Sequence, residues 1–276
     1  MITTEQILER EKYYAELMQD DPRCKLAFWT TWANDVRAAL PKFRGDKIYL
    51  SQDLPKENYL NAYEYAVRND ALNLYSIFTD DDSYGNSGYT MCDRFITRDL
   101  LDSVLEINFL AKHLGWTAES SPVILDIGAG YGRFAKRVTE ATMGECYCTD
   151  AVPLSMAICD LNTENADCVA PILPKEVGEN DYDLAVNIHS WSESPAASVR
   201  EWLKMLVAMK VPNLFLVTHP NQNNRTWDGA DLVMLCAEYG YALKVASNKF
   251  APTHDEQNRI FVYDAPYLLF KLEVAQ

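Results

Sequence analysis

The chain has 276 residues, 48% of them hydrophobic, and a formal net charge of −15. That is enough for a substantial core in one large domain or two small ones, but not for the basic surface that binding a phosphate backbone requires, so DNA and RNA are set aside as partners. No run of ~18 apolar residues marks a membrane span. The first ten residues carry charges where a secretory signal needs an apolar stretch, and seven cysteines without framework spacing suit a reducing compartment. A cytoplasmic protein with no membrane partner is expected.

Thr3 and Gln6 make a capping box for a first helix that runs to about Met18, where Asp20, Asp21 and Pro22 interrupt it. A second helix is expected from Arg23 to Leu40. After a stretch bearing Pro, Gly and Asp from Pro41 to Pro55, a third, tyrosine-rich helix is expected from Tyr59 to Phe78. Thr79 to Gly88 is polar, acidic and full of turn formers, which reads as a loop with freedom to move. From Thr97 to Leu114, apolar residues including Leu100, Leu101, Val104, Leu105, Phe109 and Leu110 cover most of a helical circumference. Asp99, Asp102 and Glu106 leave a narrow polar stripe, and Gly115 caps the end. Residues 1–118 therefore read as a helical cap or lid without strand rhythm.

Residues 119–276 change character. Val123 to Ile127 are apolar apart from Asp126, as in a strand buried on both faces, and helical spacing begins at Arg133. Between them lie Gly128, Gly130 and Gly132, giving the strand, glycine turn and helix of a nucleotide-cofactor unit. A dinucleotide fold wants G-x-G-x-x-G, and here Arg133 stands where its third glycine belongs. Glu145 to Thr149 form a second strand ending in Asp150, which lies 24 residues beyond Asp126. That is near the ~20 expected of a carboxylate that binds ribose hydroxyls. Further strands are expected within 168–173, from Tyr182 to Ile188, from Asn213 to Thr218, over 241–247 and over 267–274. Helices are expected over 153–162, 199–209 and 230–239, and a long connection over 248–266. Cys146 and Cys148, two apart on a strand, read as buried small hydrophobes rather than metal ligands.

The string Asp126-Ile-Gly-Ala-Gly-Tyr-Gly132, with Asp150 and the cluster after the strand at Ile188, resembles the class I S-adenosylmethionine-dependent methyltransferases. Thr97-Arg-Asp-Leu-Leu-Asp-Ser103, Thr149-Asp-Ala-Val-Pro153 and Asn187-Ile-His-Ser-Trp-Ser-Glu193 resemble, more narrowly, a bacterial sugar O-methyltransferase family. The resemblance covers about residues 90–220. It implies an α/β fold with a Rossmann-like seven-stranded, mostly parallel sheet and an N-terminal helical extension. The implied cofactor is S-adenosyl-L-methionine, with S-adenosyl-L-homocysteine as product. Its candidate ligands are Arg98, Asp126, Gly128, Ala129, Gly130, Tyr131, Gly132, Asp150, Ala151 and Asn187: glycine-loop amides and Arg98 for the methionine carboxylate, Asp150 for the ribose. Arg98 has an alternative as the partner of Asp102 one turn on. The third strand lacks the acidic residue that many methyltransferases place beside the adenine, so what holds the base stays open.

Methyl transfer to a hydroxyl needs alignment and a proton acceptor. Of four histidines, His113 sits on a buried helix and His254 in the long connection, whereas His189 and His219 each follow a strand that opens onto the crevice. His189 is the expected base with Glu193 orienting it, and His219 is the reserve. Trp191 and Trp227 could stack on an acceptor, with core packing favoured for each taken singly. A divalent metal on His189, Glu193, His219 and Asp228 is allowed but not expected, and so is a homodimer. The reading is an O-methyltransferase for a small sugar, glycosylated or polyhydroxylated natural-product acceptor. The alternatives are a small-molecule N-methyltransferase, an NAD-dependent oxidoreductase and a non-catalytic cofactor-binding subunit.

Overall fold

The computed structural model describes residues 1–24, 27–220, 222–250 and 265–273; the 251–264 part of the expected connection, with His254, lies outside them. Helix α1 (Thr4–Met18) opens with the anticipated capping box, in which the Thr3 hydroxyl accepts from the Gln6 amide and the Gln6 side chain accepts from Thr3 N–H. Helix α2 (Ala27–Ala39) starts later than its sequence suggests, behind a short turn at Pro22–Cys24. The tyrosine-rich helix does not run to Phe78. Helix α3 (Lys56–Arg68) stops, and the Asp70 carboxylate accepts from the Leu74 and Tyr75 amides to start a separate turn, α4 (Leu74–Ile77).

Two further differences change the N-terminal picture. A hairpin, β1 (Gly88–Met91) and β2 (Arg94–Thr97), interrupts what read as all helix. The acidic loop before it is anchored rather than loose: Asp80 is bound by Arg44 at 2.7 Å and by the Thr97 hydroxyl at 2.5 Å. Thr97 also caps α5 (Arg98–Leu114), which ends on left-handed Gly115.

The second half builds β3 (Val123–Ile127), α6 (Arg133–Ala141), β4 (Glu145–Thr149), α7 (Pro153–Thr163), β5 (Val169–Pro171), β6 (Leu184–Ile188), α8 (Ala196–Ala208), β7 (Asn213–Val217), α9 (Leu232–Glu238), β8 (Tyr241–Asn248) and β9 (Pro266–Leu272). The sheet order is β5-β4-β3-β6-β7-β9-β8, with β9 antiparallel to both neighbours and the remaining pairs parallel. This is the seven-stranded, mostly parallel Rossmann-like sheet that the sequence leads one to expect.

Strand alternation divides the core into two layers. Ile124, Val186, Phe215 and Leu269 face α5 and α6, while Leu125, Ala185, Leu214, Leu216 and Phe270 face α8 and α9. Helix α5 thus belongs to the sheet's own core. Helix α1 packs on α7, where Tyr14 and Met18 meet Met156 and Leu173, and Asp160 receives Arg10 and the Tyr14 hydroxyl. No helix among the described residues is long and apolar enough to cross a membrane.

Candidate active site

Strand order reverses between β3 and β6, and at that switch point a crevice opens beyond the carboxyl ends of the strands, where open α/β sheets bind ligands. A cavity of ≈ 120 Å³ there is lined on the sheet side by Asp126, residues 128–131, Asp150, Ala151 and Ser155, and by the turn after β6 together with His219. Gly128 takes φ +78°, and a Cβ on it would fall 2.0 Å from the Ser190 Oγ. Gly130 takes φ +60°, and a Cβ there would meet the Tyr49 ring at 3.0 Å. The turn needs glycine both for its conformation and for these close approaches.

The hydrogen bonds of the glycine loop depart from expectation. Gly128 and Ala129 both donate to the Thr149 carbonyl, at 2.7 and 3.2 Å, and Gly130 donates to Asp150 Oδ2 at 3.0 Å. Gly132 donates to Ala129. The first three brace the loop against the end of β4 and the Gly132 N–H closes the loop on itself, so none of these four is free for a carboxylate. Asp150 Oδ1 accepts from Val152 N–H at 2.9 Å, and each oxygen keeps a lone pair. Burial drives the Asp150 carboxyl up to about 6, against the opposing bonds from Val152 and Gly130. Burial likewise drives Asp126 up to about 7, with Arg133 opposing, and Asp126 Oδ2 is buried without a hydrogen-bond partner.

Several candidates sit elsewhere. Arg98 does not line the cavity; its Nε meets Asp102 at 3.2 Å and its Nη1 donates to the Ser51 carbonyl at 2.8 Å. Asn187 is buried in the framework, donating to the Ile127 carbonyl at 2.6 Å and to Ser190 while accepting from Trp191 N–H at 2.9 Å, which fastens β6 to β3. The Tyr131 backbone belongs to the loop, but its hydroxyl reaches away to Asp99 at 2.6 Å. Arg133, at the position of the dinucleotide fold's third glycine, is bound twice by Glu106, at 2.7 and 3.1 Å.

The two crevice histidines stand together, with rings stacked 4.6 Å apart at 12°, but Glu193 is not on His189. Its Oε1 lies 2.8 Å from Nε2 of His219. The reason is chain geometry: His189 takes φ +69°, ψ −36° and ties its backbone N–H to the Val217 carbonyl at 2.7 Å, whereas the following turn carries Glu193 across toward the end of β7. The Glu193 bond fixes the His219 tautomer with Nε2 as donor and Nδ1 as acceptor. Burial, then the neighbouring His219, pushes the His189 imidazole well below its ordinary value, so it is neutral, and its Nδ1 is buried without a partner. The positive φ of His189 is a strained conformation of the kind that collects at functional sites.

Trp191 is buried in the core, whereas Trp227 is 58% exposed. Asp228 is spent on the Ala196 amide at 3.0 Å and on the Thr226 hydroxyl at 2.6 Å. It does not join the His219–Glu193 pair, and no three His, Cys, Asp or Glu side chains among the described residues gather as metal ligands. Cys146 and Cys148 are buried free thiols, and His113 lies against Phe109.

Sequence reasoning missed a further part of the wall: Trp32, Ile48, Tyr49 and Leu50 come from the N-terminal segment. The available signal was the short apolar run Ile48-Tyr-Leu50 inside a stretch otherwise marked by Pro, Gly and Asp.

No family model matches the chain, and no curated protein matches it. Among solved structures it is similar to the magnesium protoporphyrin IX methyltransferase from Synechocystis PCC 6803 with bound S-adenosylhomocysteine, at 12% identity over 79% of this chain and 98% of that one, with a TM-score of 0.47. It is also similar to a [4+2]-cyclase, at 12% identity over 80% and 98% with a TM-score of 0.47. A glycopeptide N-methyltransferase complexed with sinefungin is similar at 10% identity over 61% and 86%, again with a TM-score of 0.47.

Proposed function

We propose that this chain is an S-adenosylmethionine-dependent methyltransferase acting on a hydroxyl of a small sugar, glycosylated or polyhydroxylated acceptor. His219, oriented by Glu193, is the general base. The observation that carries the reading is a single cavity with Asp150 braced on the glycine loop at one side and the His219–Glu193 pair at the other. The buried, partnerless Asp126 Oδ2 and the two carboxyls that burial holds high fit a ligand that brings hydrogen-bond donors. Asp150 would take the ribose hydroxyls and Asp126 the ammonium group. The cofactor, when bound, supplies a methyl group already activated by its sulfonium.

The chain's own work is then to hold the acceptor hydroxyl against that methyl, to exclude water and to remove one proton. His219 is suited to the last task because Glu193 holds its Nε2–H and stabilises the imidazolium that forms. His189, neutral and stacked on it, avoids placing a second positive charge beside that imidazolium.

The test has two stages. Calorimetry with S-adenosylmethionine and S-adenosylhomocysteine should give binding, and NAD should give none. Screening polyhydroxylated and glycosylated compounds for methyl uptake then identifies an acceptor. With that acceptor, His219→Gln should lower kcat by about 10²–10⁴ with cofactor affinity little changed, and the acid limb of the pH–rate profile should vanish. A larger loss in His189→Gln than in His219→Gln would move the base to His189.

A further inference from the structure

The wall of the cavity beside Asp150 comes from an unexpected part of the chain. Neither β5 nor the residues just after it, 169–173, line the cavity. Leu173 is buried among Tyr14, Met18 and Met156, beneath α1, and its N–H is taken by Glu176 at 2.9 Å. The N-terminal segment supplies the wall in its place, and that segment is firmly built. Trp32 Nε1 donates to the Ile48 carbonyl at 3.0 Å, Lys47 N–H to the Leu50 carbonyl at 2.9 Å, and Asp46 accepts from the Gln52 and Asp53 amides.

What the segment holds in place is Tyr49. Trp32 packs edge-on to its ring at 5.1 Å and Tyr131 at 5.2 Å, and its hydroxyl lies 3.2 Å from Ser155 Oγ on α7. Gly130, bonded to Asp150, is the neighbour that makes room for the ring. A flat aromatic side chain, fixed on three sides and bordering the cavity next to the ribose carboxylate, is a stacking platform for a heteroaromatic base.

We propose that Tyr49, backed by Trp32, is the adenine-binding residue, replacing the acidic residue that the β5 end lacks. This rests on the cofactor reading above, and it makes the N-terminal segment part of the cofactor site. A nucleoside whose base cannot stack is rejected at this wall, whatever its ribose offers to Asp150.

The test is calorimetric titration of wild type, Tyr49→Ala, Tyr49→Leu and Tyr49→Phe with S-adenosylhomocysteine and with 5′-methylthioadenosine, which has the base and ribose but no amino-acid end. Tyr49→Ala should weaken both ligands by a similar factor, about 10- to 100-fold for a lost base–aromatic stack. Tyr49→Phe should stay within about threefold of wild type. Tyr49→Leu keeps an apolar side chain in the wall should the alanine variant fail to fold, and it should still weaken both ligands at least about fivefold. Wild-type affinity in Tyr49→Leu overturns the proposal, as does a loss confined to S-adenosylhomocysteine. If wild type binds neither ligand, the cofactor reading itself falls, which is a distinct result.

Discussion

Four buried aspartates, two on α5 and two in the crevice, are each at most 7% exposed yet are driven in opposite directions. Burial opposes ionisation in all of them. For Asp99, Arg44 at 3.1 Å and Arg137 at 3.8 Å overcome it, and for Asp102, Lys249 at 2.7 Å and Arg98 at 3.2 Å do so, so both carboxyls fall below the usual range. Among the described residues Asp126 and Asp150 have no such ion pair, and theirs rise to about 7 and about 6. Asp99 and Asp102 find their compensation inside the fold, whereas for Glu106 burial still outweighs Arg133 at 2.7 Å and pushes the carboxyl up. On the function proposed above, Asp126 and Asp150 receive theirs from the ligand.

The largest effect should come from breaking the ionic row on α5. Arg133→Ala strands the buried Glu106, and should cost about 3–5 kcal/mol in urea denaturation. Replacing both residues by methionine should recover most of that loss, because the pair's desolvation disappears with it. A loss under ~1 kcal/mol in the single variant would mean that Arg133 does not compensate the buried Glu106.

The crevice pair should show the opposite response to pH. Asp126 and Asp150 have folded values above the unfolded one, so the native state binds more protons between about pH 4 and 7 and loses stability as pH rises through that window. Asp126→Asn should escape its share. Its stability relative to wild type should grow by on the order of 2–4 kcal/mol from pH 4 to pH 7, and parallel curves would place Asp126 with Asp99 and Asp102.

Binding sharpens the contrast further. Asp150→Ala should weaken S-adenosylmethionine by about 1.5–3 kcal/mol in calorimetry, since the ribose hydroxyls lose a charged acceptor. Unchanged affinity would remove Asp150 from the site. The smallest effect expected is in Glu193→Gln, where loss of the orienting charge should lower kcat by about tenfold with acceptor KM nearly constant.

What could be read from the chain follows from how local each feature is. The glycine turn declares itself because positive φ at Gly128 and Gly130 demands a residue type, and Asp150 because a strand must deliver its next residue to the crevice. The break after Arg68 was hidden because Asp70 caps a helix through its side chain inside an otherwise helical pattern. The narrow polar stripe of α5 was legible, but not what it pairs with. Its partners Arg44, Arg133, Arg137 and Lys249 lie far along the chain, and no periodicity announces them.

The sequence by itself determined the sheet, the end of it at which the crevice opens and the residues at the loop, since alternating apolar strands and a glycine-bearing turn have few ways to be buried. Tertiary structure alone decided which histidine Glu193 serves and that Tyr49 closes the wall beside Asp150. Each of those depends on distances between segments tens of residues or more apart, and side-chain type does not encode such distances until the core has brought the segments together.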